Sequence, residues 1–290
     1  MSADWTWWPA PAKLNLFLHV VGRCEDGYHE LQTLFQLIDR CDSVGVRVRQ
    51  DGRIERLSGP ESVAPEKDLA VRAALALQRY SGLELGADLQ LRKTIPLGGG
   101  LGGGSSDAAT VLLSLNRLWG IGLPLDELAR IGLGLGADVP LFVRGTSAWG
   151  EGRGERLQAL ELPPRWFLVM HPGCAVSTAE IFQAPELTRN SPLITIAGFA
   201  ADQTRNVCEP IVRQRYPEVA AALDWLDAQC KASDPQRNAR MTGTGACIFA
   251  SFERVEQAQR IAMRVPQRWS SFVARGLNRS PLHDMLEQSG

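Results

Sequence analysis

The sequence lacks the patterns that mark metalloproteins and disulfide-rich proteins. Its six cysteines are scattered singly, without a C-x-x-C pair, which argues against a structural zinc site and against a disulfide framework. The four histidines are equally dispersed and form no H-E-x-x-H motif. We therefore expect reduced thiols and no catalytic metal that the protein holds alone.

Long apolar runs and an excess of one charge are also missing. No apolar stretch approaches the roughly 18 residues that a membrane helix needs. The N-terminus has no basic region followed by a long apolar core, so we expect no signal peptide and a cytoplasmic protein without a membrane partner. The formal net charge of −1 argues against sequence-independent binding to nucleic acid.

A glycine-rich stretch over residues 96–106 is the most informative part of the sequence. It reads P-L-G-G-G-L-G-G-G-S-S, follows a strand-like run over 87–95 and precedes an apolar helical pattern. Glycines that dense allow positive φ and bring several N–H groups to one anion, at a helix N-terminus that favours negative charge. A flexible linker is the alternative, but linkers are seldom framed by a strand and a helix. The stretch predicts a phosphate-binding loop.

Two common phosphate loops do not fit this stretch. A Walker loop requires a lysine after the glycines, and none follows here. A dinucleotide fingerprint can be placed on Gly98, Gly100 and Gly103, but such a match inside a glycine run is nearly unavoidable by chance. The pattern P-x-G-G-G-L-G-G-G-S-S-x-A-A resembles instead the ATP-binding loop of the GHMP kinase family, the relatives of galactokinase, homoserine kinase and mevalonate kinase.

This resemblance implies that ATP is a co-substrate whose phosphates are held by the loop amides. Mg²⁺ would come with the nucleotide and would not be held by the protein alone, with Ser105 or Ser106 reaching it. At position 68 the family commonly has an Asn that contacts adenine, whereas this chain has Asp68, which also fits a helix N-cap. The predicted ATP-binding residues are Pro96, Leu97, Gly98, Gly99, Gly100, Leu101, Gly102, Gly103, Gly104, Ser105, Ser106, Asp68 and Lys93.

Lys13 and Asn15 interrupt an apolar strand-like run over residues 13–22. At i and i+2 on a strand both side chains point the same way, and the pattern alone favours a half-exposed strand. The surrounding P-A-K-L-N-L, however, resembles the N-terminal motif of one branch of the family, whose acceptor is the small molecule 4-diphosphocytidyl-2-C-methyl-D-erythritol. In that branch the Lys and the Asn lie at the acceptor hydroxyl. We accordingly predict Lys13 as catalytic and Asn15 as substrate-binding.

The string D-G-Y-H-x-L-Q-T-L-F over residues 26–35 resembles the same branch, in which the Tyr stacks on cytosine and the His hydrogen-bonds the edge of the base. This implies that Tyr28 and His29 bind the acceptor, although a Tyr–His pair at a turn is otherwise an ordinary boundary feature. Thr178 and Phe182 match residues that line the acceptor pocket, where the Phe closes the second face of the cytosine. Without the resemblance, Phe182 is better explained as a buried residue of a helix face.

A single acid, Asp138, stands in the small and apolar stretch G-A-D-V-P. Propensity explains such an Asp equally well as a helix cap or a turn residue, but the stretch resembles the catalytic segment of the family, where the Asp is the proposed general base. The string M-T-G-T-G-A over residues 241–246 resembles a third family motif. That motif implies a loop that supports the phosphate loop and the acceptor site.

The resemblance implies an α+β fold of two lobes with both ligands in the cleft. The N-terminal lobe, residues 1–163, would resemble the second domain of ribosomal protein S5, and the C-terminal lobe, residues 164–290, would be ferredoxin-like, with the last strand able to return to the first lobe. The implied reaction is transfer of the ATP γ-phosphoryl group to the 2-hydroxyl of the acceptor, by a monomer or weak homodimer. The alternatives are another small-molecule kinase of the family and a non-catalytic ATP-binding regulator. From the residues alone we also expect a hairpin at Asp51-Gly52.

Overall fold

The computed structural model describes residues 4–23, 28–199 and 204–288. Within these residues it contains ten β-strands and nine α-helices. The strands are β1 (Thr6–Arg23), β2 (His29–Arg49), β3 (Ile54–Ser58), β4 (Gly86–Arg92), β5 (Ala148–Gly152), β6 (Arg156–Ala159), β7 (Trp166–His171), β8 (Arg240–Met241), β9 (Ile248–Phe252) and β10 (Ser270–Leu277). The helices are α1 (Leu69–Ser81), α2 (Gly103–Leu118), α3 (Leu125–Leu133), α4 (Val139–Arg144), α5 (Thr178–Gln183), α6 (Glu209–Arg215), α7 (Pro217–Ser233), α8 (Val255–Ala262) and α9 (Pro281–Gln288).

The long strand β2 is the element on which the sheet is built. It has 21 residues and pairs antiparallel with β1, β4, β5 and β10. Through β10 the sheet continues into the second half of the chain, in the order β3-β4-β2-β10-β7-β9-β8. Mainly antiparallel pairing with helices interspersed along the chain confirms the α+β class that the sequence predicts.

The hairpin predicted at Asp51-Gly52 is wrong. Gly52 does turn the chain, with a φ of +72°, but β3 does not return along β2. It pairs in parallel with β4, with Ile54 opposite Ala87, because β4 already occupies that edge of β2 over residues 43–49. Local turn chemistry predicts the turn here and does not predict which strand β3 joins.

Helix α1 precedes β4 and the glycine loop in the chain, and helix α2 follows the loop. Both helices begin where the sequence predicts. Asp68 is the N-cap of α1, since its carboxylate accepts a hydrogen bond from the Ala70 amide at 2.9 Å. The apolar residues of α1 recur with helical spacing and are buried, and Gly82 ends the helix at a φ of +68°. Helix α2 begins at Gly103, directly after the loop. The loop is therefore held between a strand and a buried helix.

Two large clusters of buried hydrophobic side chains stabilise the fold. The first contains residues of α1, α2 and the strands around them, including Leu77 and Leu112. The second contains residues of β7, β9, α6 and α7, including Leu168 and Leu226. Leu282 of the C-terminal helix α9 belongs to the first cluster. The chain thus returns to its first half after β10.

The cysteines in the described ranges are free thiols: Cys41, Cys174, Cys208, Cys230 and Cys247. Cys24, Asp26 and Gly27 lie outside the described residues. Among the helices of the described ranges, none combines the length and the hydrophobicity needed to cross a membrane.

Candidate active site

The carbonyl groups of the glycine loop accept hydrogen bonds that hold the loop in place. Five consecutive carbonyls, those of residues 98–102, accept hydrogen bonds from the protein at 2.9–3.3 Å. The donors, in order along the loop, are the amides of Ala246 and Cys247, the hydroxyl of Thr242, and the amides of Lys13 and Ser106. Because carbonyl oxygens repel an anion, committing them to protein partners leaves N–H groups as the polar groups that the loop offers to phosphate.

Three glycines of the loop have backbone conformations that other residues avoid. Gly98, Gly100 and Gly102 have φ values of +66°, +74° and +74°. A Cβ atom on Gly100 would also lie 2.3 Å from the Thr242 carbonyl oxygen, so this position excludes any side chain. Gly102 is the N-cap of α2 and the helix has no side-chain cap. The first turn of a 16-residue helix is therefore available to a phosphate, which the helix dipole favours.

Lys13 and Asp138 meet in the cleft although they are far apart in the chain. The Lys13 Nζ lies 3.3 Å from the Asp138 Oδ2, with side chains 4% and 30% exposed. Asp138 is at the N-cap position of α4, but its side chain makes no capping hydrogen bond. The helix-cap alternative therefore does not explain this residue. A buried ammonium group beside an accessible carboxylate can stabilise a transferring phosphoryl group and accept a proton.

Asn15 connects Lys13 to the glycine loop. It lies on the same face of β1, as the spacing predicts, and its Oδ1 accepts a hydrogen bond from the Lys13 Nζ. The Nδ2 of Asn15 donates to the Thr33 hydroxyl, and its backbone N–H donates to the Thr242 hydroxyl, both at 2.9 Å. Both Lys13 and Asn15 are buried, so the half-exposed strand favoured by the pattern alone is wrong. The Thr242 hydroxyl in turn bonds the Gly100 carbonyl, which completes the connection.

Aromatic side chains line another part of the cleft. The rings of His29 and Phe182 stack with centroids 5.3 Å apart and an interplanar angle of 26°. Tyr28 is 59% exposed, and the Arg153 guanidinium lies 4.0 Å from the centroid of its ring. Burial lowers the pKa of His29, and the charge of Arg189 lowers it further. A neutral imidazole beside exposed aromatic faces suits a nucleobase.

Most of the predicted site residues line one cleft of about 980 Å³, a volume in the range of small-molecule sites. Thr178 lies there with its hydroxyl 2.9 Å from that of Thr244 in the third motif. The predicted residues that the cleft brings together are Lys13, Asn15, Tyr28, His29, residues 96–105, Asp138, Thr178 and Phe182.

Lys93, Asp68 and Ser106 are not among the described residues that line this cleft. The Lys93 ammonium donates instead to the carboxylates of Asp42 and Asp107, which are both buried. Burial lowers the pKa of Lys93, but the two carboxylates outweigh this effect and raise it. Burial also raises the pKa of Asp107. Lys93 therefore belongs to an ion cluster beside the start of α2 and does not line the cleft.

Asp68 also has both carboxylate oxygens engaged within the protein. Its Oδ2 accepts from the Arg56 Nη1 at 2.6 Å, in an ion pair whose two side chains are each 8% exposed, and its Oδ1 caps α1. Of the two serines predicted to reach Mg²⁺, Ser105 lines the cleft and Ser106 is buried. The geometry therefore favours the plain helix cap for Asp68, and Ser105 over Ser106 as the residue near the phosphates.

Sequence reasoning missed three residues that shape the site. Asp42 accepts a hydrogen bond from the Ile95 amide at 2.8 Å and so fixes the chain that enters the loop. Asp107, on α2, binds Lys93, which Asp42 also binds. The available signal for Asp107 is a lone acid at the start of an Ala-rich helix, whereas Asp42 follows Asp39 and Arg40 and has no such signal. Arg189 donates to His29 from 160 residues away and has no comparable local signal.

The chain is similar to known proteins in both sequence and fold. The family model "GHMP kinases N terminal domain" matches residues 68–146, and "GHMP kinases C terminal" matches residues 186–271. A relative from Alkalilimnicola ehrlichii is 57% identical over 95% of this chain and 92% of its own, and one from Halorhodospira halophila is 54% identical over 99% and 98%. Both are named 4-diphosphocytidyl-2-C-methyl-D-erythritol kinase. A crystal structure of 4-(cytidine 5'-diphospho)-2C-methyl-D-erythritol kinase matches with a TM-score of 0.78 and 33% identity, over 93% of this chain and 99% of that one.

The position of Asp68 leads to a prediction about stability. Asp68→Asn weakens the charge-assisted bond from Arg56 in a buried place, so we expect the free energy of unfolding to fall by about 1–3 kcal/mol. The KM for ATP should stay within about twofold of that of the unaltered enzyme, because the carboxylate is not at the cleft surface. Asp51→Asn, in an exposed ion pair with Arg49, is the control and should change stability by less than about 1 kcal/mol. A lower KM for ATP at unchanged stability would instead indicate a contact with adenine.

Proposed function

Since the chain belongs to the GHMP kinase family and has its mixed α/β fold, we propose that it transfers the γ-phosphoryl group of ATP to the 2-hydroxyl of 4-diphosphocytidyl-2-C-methyl-D-erythritol. This is a step of the non-mevalonate route to isoprenoid precursors. The observation that carries this function is 54–57% identity, over nearly the whole chain, to relatives named for this reaction. The cleft supports it because it places a phosphate loop, a Lys–Asp pair and a set of aromatic rings around one cavity.

In the proposed reaction, the loop amides and the first turn of α2 hold the ATP phosphates. The acceptor hydroxyl attacks the γ-phosphorus, the bond from that phosphorus to the ADP oxygen breaks, and the hydroxyl proton passes to the Asp138 carboxylate. Lys13, 3.3 Å from Asp138, places its positive charge against the transferring group. Phosphoryl transfer depends mainly on positioning and charge stabilisation, and the hydrogen bonds of Asn15 hold Lys13 in place for both.

Mg²⁺ fits this cleft as a partner of the nucleotide. In the described ranges, no group of three His, Cys, Asp or Glu side chains could hold a metal ion. Ser105, in the first turn of α2, lines the cleft. We propose that the Ser105 hydroxyl and the ATP phosphates would both be ligands of the ion. When bound, it neutralises charge on the phosphates.

We also propose that the cleft separates an N-terminal lobe of residues 1–163 from a C-terminal lobe of residues 164–290. In support, the cleft is lined both by the glycine loop, which precedes residue 163 in the chain, and by Thr178 and Phe182, which follow it. The two large core clusters divide near the same point. Two elements are exceptions: helix α9 packs on the first cluster, and Leu18 and Val20 of β1 belong to the second.

The direct test of the function is ADP release with a panel of acceptor alcohols. We expect Mg²⁺-dependent release of ADP with 4-diphosphocytidyl-2-C-methyl-D-erythritol. Its cytosine matches the proposed base site, and its 2-hydroxyl matches the Lys–Asp pair. Homoserine, galactose and mevalonate should give no release above the rate without acceptor. Better turnover with any of the three would place the chain in another branch of the family. No ADP release with any of the four acceptors would favour a non-catalytic role.

The proposed roles of Lys13 and Asp138 predict a particular kinetic pattern. Asp138→Asn and Lys13→Met should each lower kcat by about 10²–10⁴, while the KM values for both substrates change little, because the lost charges act at the reacting hydroxyl. The control variants Lys67→Met and Asp126→Asn alter exposed residues and should keep normal turnover. Near-normal kcat in both site variants would remove the pair from the mechanism.

The proposed base site predicts two different effects on specificity. Phe182→Ala removes a stacking surface that any pyrimidine uses, worth about 1–3 kcal/mol, so it should weaken cytidine and uridine acceptors alike. His29→Ala removes a group at the base edge, where cytosine and uracil differ in their donors and acceptors, so it should narrow the preference for cytidine. The measurement is kcat/KM for the two acceptors with each variant. Undiminished discrimination in His29→Ala would mean that backbone groups read the base.

A further inference from the structure

Arg189 lies in the segment that follows α5 and lines the cleft. A guanidinium group has five N–H donors in a fixed plane, and here it has five acceptors. The Nε donates to the His29 Nε2 at 3.0 Å. The remaining donors bond the backbone carbonyls of Phe182 (3.0 Å), Ala184 (2.8 Å), Leu187 (3.1 Å) and Pro185 (3.4 Å). One side chain therefore holds both His29 and the end of the helix that carries Phe182.

The bond to His29 decides which imidazole nitrogen carries the proton. Arginine does not lose its proton in proteins, so Arg189 is the donor and the His29 Nε2 is the acceptor. A charged imidazole would have a hydrogen on both nitrogens and could not accept this bond. The ring is therefore neutral, in agreement with the lowered pKa of His29. Its proton is on Nδ1, because the partner of one ring nitrogen sets the state of the other.

We propose that Arg189 is the positioning residue for cytosine recognition: it holds His29 as the Nδ1–H tautomer and so presents a hydrogen-bond donor to the base. This inference rests on the proposed function of the cleft. The ring nitrogen N3 of cytosine is an acceptor, whereas N3 of uracil carries a hydrogen. A fixed donor on His29 therefore forms a hydrogen bond with cytosine, but with uracil two donors face each other and neither has an acceptor.

The structure contains a matched control for this role. Arg215 also binds the region of α5, through ion pairs with Glu180 and Glu186 at 3.2 Å each, and in the part of the chain that the structure describes it does not bond His29. A role in merely holding α5 would be shared by the two arginines. A role in setting the tautomer of His29 belongs to Arg189.

The experiment compares Arg189→Met, the milder Arg189→Gln, whose amide can either donate to the ring or accept from it, and the control Arg215→Met. The first readout is the ratio of kcat/KM for 4-diphosphocytidyl-2-C-methyl-D-erythritol to that for its uridine counterpart. We expect this ratio to fall by about tenfold or more in both Arg189 variants, because the donor at Nδ1 is no longer fixed. The kcat for the cytidine acceptor should stay within about threefold, since Arg189 bonds the base site and not Lys13 or Asp138. Arg215→Met should leave the ratio unchanged.

The second readout is the tautomer itself, from long-range ¹H–¹⁵N correlation spectra of the ¹⁵N-labelled enzyme. The signal of His29, one of four histidines, is assigned by its loss in His29→Gln. We expect the Nδ1–H pattern in the unaltered enzyme and in Arg215→Met, and its loss in both Arg189 variants. An unaltered enzyme with a charged or Nε2–H His29 overturns the inference, as does full discrimination in folded Arg189→Gln. Lack of turnover with the cytidine acceptor in the unaltered enzyme would refute the proposed function, which is a separate result.

Discussion

Hydrogen bonding to the carbonyls of the glycine loop is the interaction on which the site depends. A chain with this many glycines has no conformation of its own, and here five consecutive carbonyls are bound by β1, by α2 and by the turn over residues 242–247. The two halves of the chain thus contribute to one loop. Because Gly100 lies against the Thr242 carbonyl, the loop and the turn fit only when both backbones are in place.

The ion cluster of Lys93, Asp42 and Asp107 fixes the two ends of the same loop. Asp42 on β2 binds the Ile95 amide just before the loop, and Asp107 lies in α2 just after it. Lys93 joins the two carboxylates in a place that water hardly reaches. Removing Lys93 would leave two buried carboxylates without a counter-ion. A lysine that the family resemblance assigns to the nucleotide thus has a structural explanation in this chain.

The proposed reacting groups and the proposed base site are held by separate hydrogen-bond networks. Lys13 is held by Asn15, which is bound by Thr33 and Thr242. His29 is held by Arg189, whose other donors bind the carbonyls around the end of α5. Each network ends on backbone carbonyls, which is how a loop-rich cleft keeps its side chains in defined positions. This separation is the reason that we expect substitutions to alter chemistry and base selection independently.

The sequence by itself determined the features that have local causes. Positive φ at Gly98, Gly100 and Gly102, the shared face of Lys13 and Asn15 and the Asp68 cap of α1 follow from backbone sterics, the period of a strand and capping chemistry. Partners across long stretches of chain followed only from the tertiary structure. Strand register and helix packing brought Asp138 to Lys13, Asp42 to Lys93, Arg56 to Asp68 and Arg189 to His29. No local pattern encodes such pairs, because their energy is gained only once distant elements have packed together.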